Sequence, residues 1–378
     1  MIRVAMTGAY PVDPEVIPGG VSAVAHYMAK GLARSPEIDL HMICCEVNVP
    51  RDEVIERDGV TVHFLTNKQR LSQLMNLYFQ RRKVAKVVRR IRPDIMHAQG
   101  LGLPTEVCLD SGLPNIVAIH GVFWKEPSEH PSFITRQGNR LRQRRARQQL
   151  KRLENVILTS GYVSTILPSD VKYREYIINN PIGEEIFSIR NEPKSPHILV
   201  IGGIRKRKDP MTCLRVMERV LKEVPDATMD LLGLNSRTEL DQQVADFVRD
   251  HGLADQVRLL GLVPNEVLWQ EYEKSSLLLI PSLEETAPVA LGEACAVGLP
   301  AVGSDAGGIP YMIHDGETGF VRPVRDVEGM AERVVAILKD DNLRRRLASR
   351  AKEIGLQDFS MAAIVGKTLA AYKEILAG

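Results

Sequence analysis

Short apolar runs recur along the chain, each closed by glycine, proline or a polar residue. The first series is IRVAMTG (2–8), IDLHMIC (38–44), VTVHFL (60–65), DIMHAQ (94–99), NIVAIHG (115–121) and NVILTS (155–160). Runs that are apolar throughout, rather than alternating, predict strands of a parallel sheet covered on both faces. Between several of them lie stretches of helical period, such as VSAVAHYMAKGLAR (21–34). A second series follows: HILVIGG (197–203), MDLLG (229–233), VRLLG (257–261), LLLIP (277–281) and PAVGS (300–304). The segment RNEPKSP (190–196), rich in proline and charge, separates the two series and reads as a linker. The pattern predicts an α/β protein of two units, residues 1–190 and 191–357. No short internal repeat relates them.

Composition agrees with this organisation. A chain of 378 residues is too long for one ordinary core. Its 44% hydrophobic and 25% charged residues are those of a soluble globular protein. No run of about 18 apolar residues exists, so no spanning helix is expected. Residues 1–6 are too short for the apolar core of a signal peptide and read as the first strand. Cys44, Cys45, Cys108, Cys213 and Cys295 lack metal-type spacing and read as reduced thiols of a cytoplasmic protein.

The net charge of +2 hides an asymmetry. Residues 1–190 hold 26 Lys and Arg against 19 Asp and Glu, and the remainder holds 23 against 28. Two basic runs of helical composition carry much of the excess, Arg81 to Arg92 and Arg136 to Arg152. Leu77, Tyr78 and Phe79 precede the first; Trp124 and Phe133 precede the second. Such helices are either solvated faces or docking sites for anionic lipid headgroups or an anionic acceptor, possibilities the sequence leaves open. No recognised nucleic-acid motif accompanies the charge.

The densest chemistry lies in PSLEETAPVALGEACAVGLPAVGSDAGGIPYMIHDGETG (281–319). An apolar strand leads into a polar turn, a helix and a second strand, a layout that places a ligand at the C-terminal edge of a parallel sheet. Pro288 suits a first helical turn, so the helix is expected to start near Ala287 and Pro288 and to carry Glu293 about a turn and a half in. Glu285 then lies on the loop just outside, near free N–H groups that attract anions.

This segment resembles the donor-binding motif of the retaining glycosyltransferases of family 4, the group 1 glycosyl transferases. Their motif is Pro-Ser, a Glu, seven residues, a second Glu, then Ala-x-Ala-x-Gly-Leu-Pro. Pro281, Ser282, Glu285, Glu293, Ala294, Ala296, Gly298, Leu299 and Pro300 match it. The resemblance implies GT-B architecture, two Rossmann-like domains facing across a cleft. The N-terminal domain (1–190) would bind the acceptor and the C-terminal domain (191–357) the nucleotide sugar, with a helix in 358–378 packing back on the first. It also implies transfer of a sugar from a nucleoside diphosphate, UDP on family base rates, to a glycan, lipid-linked or small-molecule acceptor. The anomeric configuration would be retained, with neither metal nor cofactor.

Other positions acquire roles through the same resemblance. Gly19 and Gly20 would meet the donor diphosphate or the acceptor, and His120 the donor sugar. His97 is taken as supporting. Gly233 and Val263 would line the base pocket with backbone groups, and Asn180-Pro181 matches a turn. In IGGIRKRKDP (201–210), Lys208 matches the phosphate-binding lysine, but Gly203 stands where the family has arginine. Arg205 is the candidate for the missing guanidinium, while Lys206 and Arg207 read as solvated. The catalytic set is thus His120, Lys208 and Glu285. Arg205, Thr286, Ala287, Pro288 and Glu293 join the donor site, Glu293 on the ribose hydroxyls. No Asp-x-Asp metal motif appears. Two other functions share this fold: a sugar-nucleotide 2-epimerase and a non-catalytic binding protein.

Overall fold

The computed structural model describes residues 1–13, 20–44, 49–66, 77–121, 133–233 and 238–378, without the side chains of residues 133–140 and 142. The chain divides into two units, one of Met1–Pro181 with Met361–Gly378 and one of Ile182–Ser360. The first carries strands β1 (Ile2–Thr7), β2 (Ile38–Cys44), β3 (Glu53–Arg57), β4 (Val60–Phe64), β5 (Ile95–Gln99), β6 (Asn115–Ile119), β7 (Asn155–Leu158) and β8 (Arg174–Ile177). They form one sheet in the order β3-β4-β2-β1-β5-β6-β7-β8, with β3 and β4 the antiparallel pair. Because the central strands are apolar on both sides, successive residues feed two cores. Met6, Ile95 and Ile116 face the helices Gly20–Ala33 and Met361–Ala377, while Ala5, Met96 and Val117 face Tyr78–Ile91 and Leu103–Ser111.

The second unit holds β9 (His197–Ile201), β10 (Thr228–Leu232), β11 (Val257–Gly261), β12 (Leu277–Ile280), β13 (Ala301–Ser304) and β14 (Gly319–Arg322). They form a parallel sheet in the order β11-β10-β9-β12-β13-β14. The strand order reverses between β1 and β5 in one unit and between β9 and β12 in the other. Loops leaving the C-terminal ends of those strands part there and leave room for a ligand.

The division differs from the expected boundary at residue 190. Ile182 and Ile186 are already buried in the core of the second unit, and Ile182 N–H donates to Phe359 O at 3.3 Å. The expected linker at 190–196 lies against this unit. The Asn191 amide donates to the carbonyls of Tyr272 (2.8 Å) and Ser275 (2.7 Å), and Glu192 N–H donates to Glu273 O. Proline and charge marked a segment that coats the unit, and the chain passes between units at Pro181. The last helix begins at Met361, after the helix Asp341–Phe359 has ended in the second unit.

Cys44, Cys108, Cys213 and Cys295 are buried, and Cys45 lies outside the described residues. Among the described residues no helix is long and apolar enough to cross a membrane.

Candidate active site

In the second unit the loops leaving β9 and β12 meet side chain to side chain. After β9 the chain turns through Gly202 and Gly203, whose N–H groups both donate to Leu232 O at 2.8 Å. Gly203 sits at φ 71°, in the region glycine occupies without strain. A Cβ on Gly233 would stand 2.5 Å from Gly203 N, so the backbones leaving β9 and β10 touch. An arginine at 203 would be strained in this loop, and the guanidinium at the site comes from elsewhere.

It comes from Arg207. A short 3-10 turn, Lys206–Lys208, aims Arg207 and Lys208 at Glu285. Arg207 Nη1 donates to Glu285 Oε2 at 2.7 Å and to Glu284 O at 2.8 Å; Lys208 Nζ donates to Glu285 Oε1 at 2.5 Å. Ser282 Oγ is a third donor to the carboxylate and the second on Oε1, at 2.9 Å. The expectation that Arg207 is solvated is therefore corrected. Arg205, the earlier candidate, is half-buried and has no ion pair among the described residues. The Glu285 backbone is equally constrained. Its carbonyl accepts from Gly308 N–H at 2.7 Å, and a Cβ on Gly307 would collide with that oxygen. Burial pushes the Glu285 carboxyl up, but Lys208 and Arg207 outweigh burial and hold it below its ordinary value.

The helix Val289–Val297 starts one residue after Pro288, so the amides of Val289 and Ala290 have no partner inside the helix. Thr286 and Ala287 are half-buried on the turn leading to it, and Pro288 is buried. Glu293, also half-buried, accepts a hydrogen bond from the buried Tyr272 hydroxyl at 2.7 Å. Burial raises its carboxyl above the ordinary value, with the tyrosine pulling the other way. Gly233 follows β10. Val263 packs partly buried against the core just before the helix Asn265–Lys274.

In the first unit His120 follows β6 and is half-buried. Its Nε2 lies 2.6 Å from Gln99 Oε1, and burial pushes its pKa down to about 4, opposed by the nearby Asn180 side chain. Gly20 opens the helix Gly20–Ala33; Gly19 lies outside the described residues.

The comparisons with known proteins cover both units. The family model "Glycosyltransferase Family 4" matches residues 18–185, and "Glycosyl transferases group 1" matches residues 182–354. The chain belongs to the group 1 glycosyl transferases of family 4.

Among curated relatives is the N-acetyl-alpha-D-glucosaminyl L-malate synthase of Bacillus anthracis, 30% identical over 184 residues, which are 48% of this chain and 47% of that protein. Another is the D-inositol 3-phosphate glycosyltransferase of Corynebacterium diphtheriae, 29% identical over 46% of this chain and 41% of that protein. The chain thus spans less than half the length of the curated relatives it matches. Among solved structures, a sucrose-phosphate synthase from Thermosynechococcus elongatus superposes with a TM-score of 0.81 at 18% identity, covering 100% of both chains. The fold of this family-4 member is GT-B.

Three site residues escaped sequence reasoning: Arg207, Ser282 and Tyr272. Ser282 stood in the motif without a role. Arg207 was hidden in a run of four cations, where only the backbone turn decides which side chains point inward. Among the described residues, one trio has metal-ligand chemistry and proximity, His197, Asp230 and Glu271. Arg258 and Lys274 already pair with its carboxylates, so the cluster is cation-saturated.

The basic run at 81–92 lies mostly in the helix Tyr78–Ile91. Arg81 pairs with Asp110 and Lys83 with Asp52, while Arg82, Lys86, Arg89, Arg90 and Arg92 are exposed. Tyr78 and Phe79 are exposed at its start, beside a cavity of about 630 Å³ that reaches Val88, Arg92, Val107 and Leu113. Of the second run, Phe133–Leu150 is helical, with the side chains of 133–140 and 142 outside the described residues; Trp124 is outside them altogether.

Proposed function

We propose that this protein transfers a sugar from a nucleoside diphosphate, with UDP the first candidate, to a glycan, lipid-linked or small-molecule acceptor, with retention and without a metal. The observation that carries this reading is the buried Glu285 carboxylate held by Arg207, Lys208 and Ser282 beside the N-terminus of the helix Val289–Val297. Cations and unpaired amides converge where a departing diphosphate would gather charge. Preorganised donors of this kind are worth about 3 kcal/mol each in the transition state.

The step breaks the bond between the anomeric carbon and the diphosphate oxygen. The acceptor oxygen bonds to the anomeric carbon on the same face, and its proton goes to the departing phosphate oxygen. Lys208, Arg207 and the amides at Val289 and Ala290 stabilise the leaving group. Glu285 orients hydroxyls of the donor sugar. It is not the nucleophile, because Lys208 and Ser282 hold one of its oxygens and Arg207 the other. His120 contacts the sugar, Glu293 the ribose hydroxyls, and the backbone at Gly233 and Val263 the base. The match to the glycosyl transferase family models, with relatives named as a synthase and a glycosyltransferase, favours transfer over epimerisation and over non-catalytic binding.

The test is thermal stability against UDP, GDP, ADP and dTDP and their common sugars. A ligand at about 100 times its Kd adds ~2.7 kcal/mol. One selective responder supports the reading and fixes the donor. No response to any of them removes it. Product anomer analysis by NMR checks retention, and unchanged turnover in EDTA checks metal independence.

We further propose the exposed aromatic and basic face of the helix Tyr78–Ile91 as a contact for an anionic membrane surface, which would place the enzyme peripherally on the cytoplasmic face. Equal, negligible co-sedimentation with anionic and neutral vesicles would remove this part.

A further inference from the structure

His120 ends a buried chain of hydrogen bonds that starts on the last helix. Tyr372 OH lies 2.6 Å from His97 Nδ1, His97 Nε2 lies 3.0 Å from Gln99 Nε2, and Gln99 Oε1 lies 2.6 Å from His120 Nε2. His97 and Tyr372 are 0% exposed and Gln99 is 2% exposed. The strand period explains why they meet. Residues 97 and 99 of β5 share one face of the sheet, and residue 118, paired with 99, shares it with 120. That face packs on the helix Met361–Ala377 through Ile95, Ala118 and Tyr372.

A buried glutamine at the C-terminal end of a central parallel strand is costly unless its amide is satisfied. Here both ends of the amide are used, each on an imidazole. Space is also reserved for it: a Cβ on Gly8 would lie 2.7 Å from Gln99 Cβ. An amide oxygen can only accept, so His120 Nε2 carries the proton. An amide nitrogen can only donate, so His97 Nε2 accepts and His97 Nδ1 donates to the Tyr372 oxygen. Gln99 thus sets the tautomer of His120 and holds the Nε2 end of its ring, with the Asn180 side chain also beside the imidazole.

We propose that Gln99 is a positioning residue for His120, locked in place by His97 and through it by Tyr372 of the last helix. The proposal rests on the sugar-contact role given to His120 above. Its consequence is a neutral imidazole held in one orientation before any donor arrives. Burial works in the same direction, and His97 is the titratable group that faces the pair, itself driven neutral by burial and by His120.

The test uses Gln99→Glu, Gln99→Leu and Tyr372→Phe in the full chain, with histidine-ring NMR titration and kcat/KM measured against pH. A carboxylate at 99 stabilises the imidazolium, so the His120 midpoint should rise by about one pH unit or more, and the acidic limb of kcat/KM should rise with it. Gln99→Leu should lower kcat/KM about tenfold at pH 7.5 by leaving two buried ring nitrogens unpaired. Tyr372→Phe keeps the packing and should move the same His120 signal by less. An unchanged His120 midpoint in Gln99→Glu overturns the coupling. A shifted midpoint with unaltered kcat/KM at every pH overturns the role given to His120, and the positioning role with it.

Discussion

Arg207 Nη1 stands 2.7 Å from Glu285 Oε2 while its neighbour Lys208 takes Oε1, so two consecutive side chains grip the two oxygens of one buried carboxylate. Arg207 and Lys208 both belong to the short 3-10 turn Lys206–Lys208, whereas Arg205 precedes it in extended conformation, at φ −135° and ψ 140°. Arg205 is left out of that grip. Arg207→Leu is therefore expected to weaken donor binding about 10- to 100-fold, the range of a charge-assisted hydrogen bond. Arg207→Lys should recover part of the loss, since a point charge replaces the fork. Arg205→Ala should change binding by less than about threefold, as for a side chain away from buried networks. Calorimetric titration with the responding nucleotide decides between them, and a larger loss for Arg205 would reverse the assignment.

Glu285→Gln keeps the shape of the side chain and removes its charge. Arg207 and Lys208 then lose their anionic partner but retain 26% and 16% side-chain exposure, so part of their charge can be solvated. Thermal unfolding should register a cost of about 1–3 kcal/mol, with the fold intact. Turnover should fall by at least about a hundredfold, because a misplaced sugar loses its attack geometry. Near-normal turnover in a folded Glu285→Gln protein would show that the site has been misread.

Much of this was written in the chain. The buried strands announced themselves because both faces of a parallel sheet are apolar. Three strands did not, each for a physical reason. β3 (EVIER) is half-exposed and polar, and its signal was the Asp58-Gly59 turn, with both residues at positive φ as a tight hairpin requires. β8 (REYI) is an exposed edge with no apolar run. β14 is only Gly319–Arg322, too short for a period. At the site, Glu285, Glu293 and Lys208 were singled out through the resemblance to the family motif, but the choice of Arg207 over Arg205 depends on the turn between them. The chain passes between units at Pro181 because Ile182 and Ile186 find a core, and composition around Arg190 carried no trace of that packing.

The histidines give the two units opposite responses to acid. In the first unit, burial lowers His63 to about 4, assisted by His41 and Arg90. It also lowers His97 to about 3 and His120 to about 4. A histidine with a depressed folded pKa contributes stability that is present above the unfolded value near 6.5 and is lost as pH falls toward the folded one. Each pKa unit is worth about 1.4 kcal/mol, so His63 alone accounts for roughly 3 kcal/mol. In the second unit burial would lower His197, but its bonds to Asp230 and Glu271 outweigh burial and raise it. Its contribution is fully present below about 6.5 and fades as pH rises through the raised value. Urea unfolding read by pulse proteolysis at pH 7.5, 6.0 and 5.0 should show Met1–Pro181 losing stability while Ile182–Ser360 holds. His63→Phe should remove part of the loss. Equal losses in the two units would contradict the assignment.

Asp230 offers a last contrast, between stability and function. It is fully buried in β10 and accepts from Arg258 Nε at 2.7 Å and Lys274 Nζ at 2.9 Å, with His197 Nε2 at 3.3 Å. Its carboxyl is held far below the ordinary value, because these partners outweigh burial. His197 opens β9, Asp230 lies mid-strand, and Arg258 comes second in β11, whereas the loops proposed above to bind the nucleotide leave the far ends of the strands. Asp230→Asn removes the anion at the centre of the cluster. Arg258 and Lys274 can turn toward solvent, but His197 and Glu271 stay buried, and breaking such a buried pair costs about 3–5 kcal/mol. Part of that is recovered as the two half-exposed cations rehydrate, so thermal unfolding should show a loss of about 2–4 kcal/mol. Nucleotide affinity of the folded protein should be unchanged. Zn²⁺ should not raise the unfolding temperature of the wild-type protein, since the ion would have to displace Lys274 beside the remaining Arg258. A clear Zn²⁺ stabilisation lost in Asp230→Asn would instead make the cluster a metal site, with His197 Nε2 and Glu271 as the other ligands.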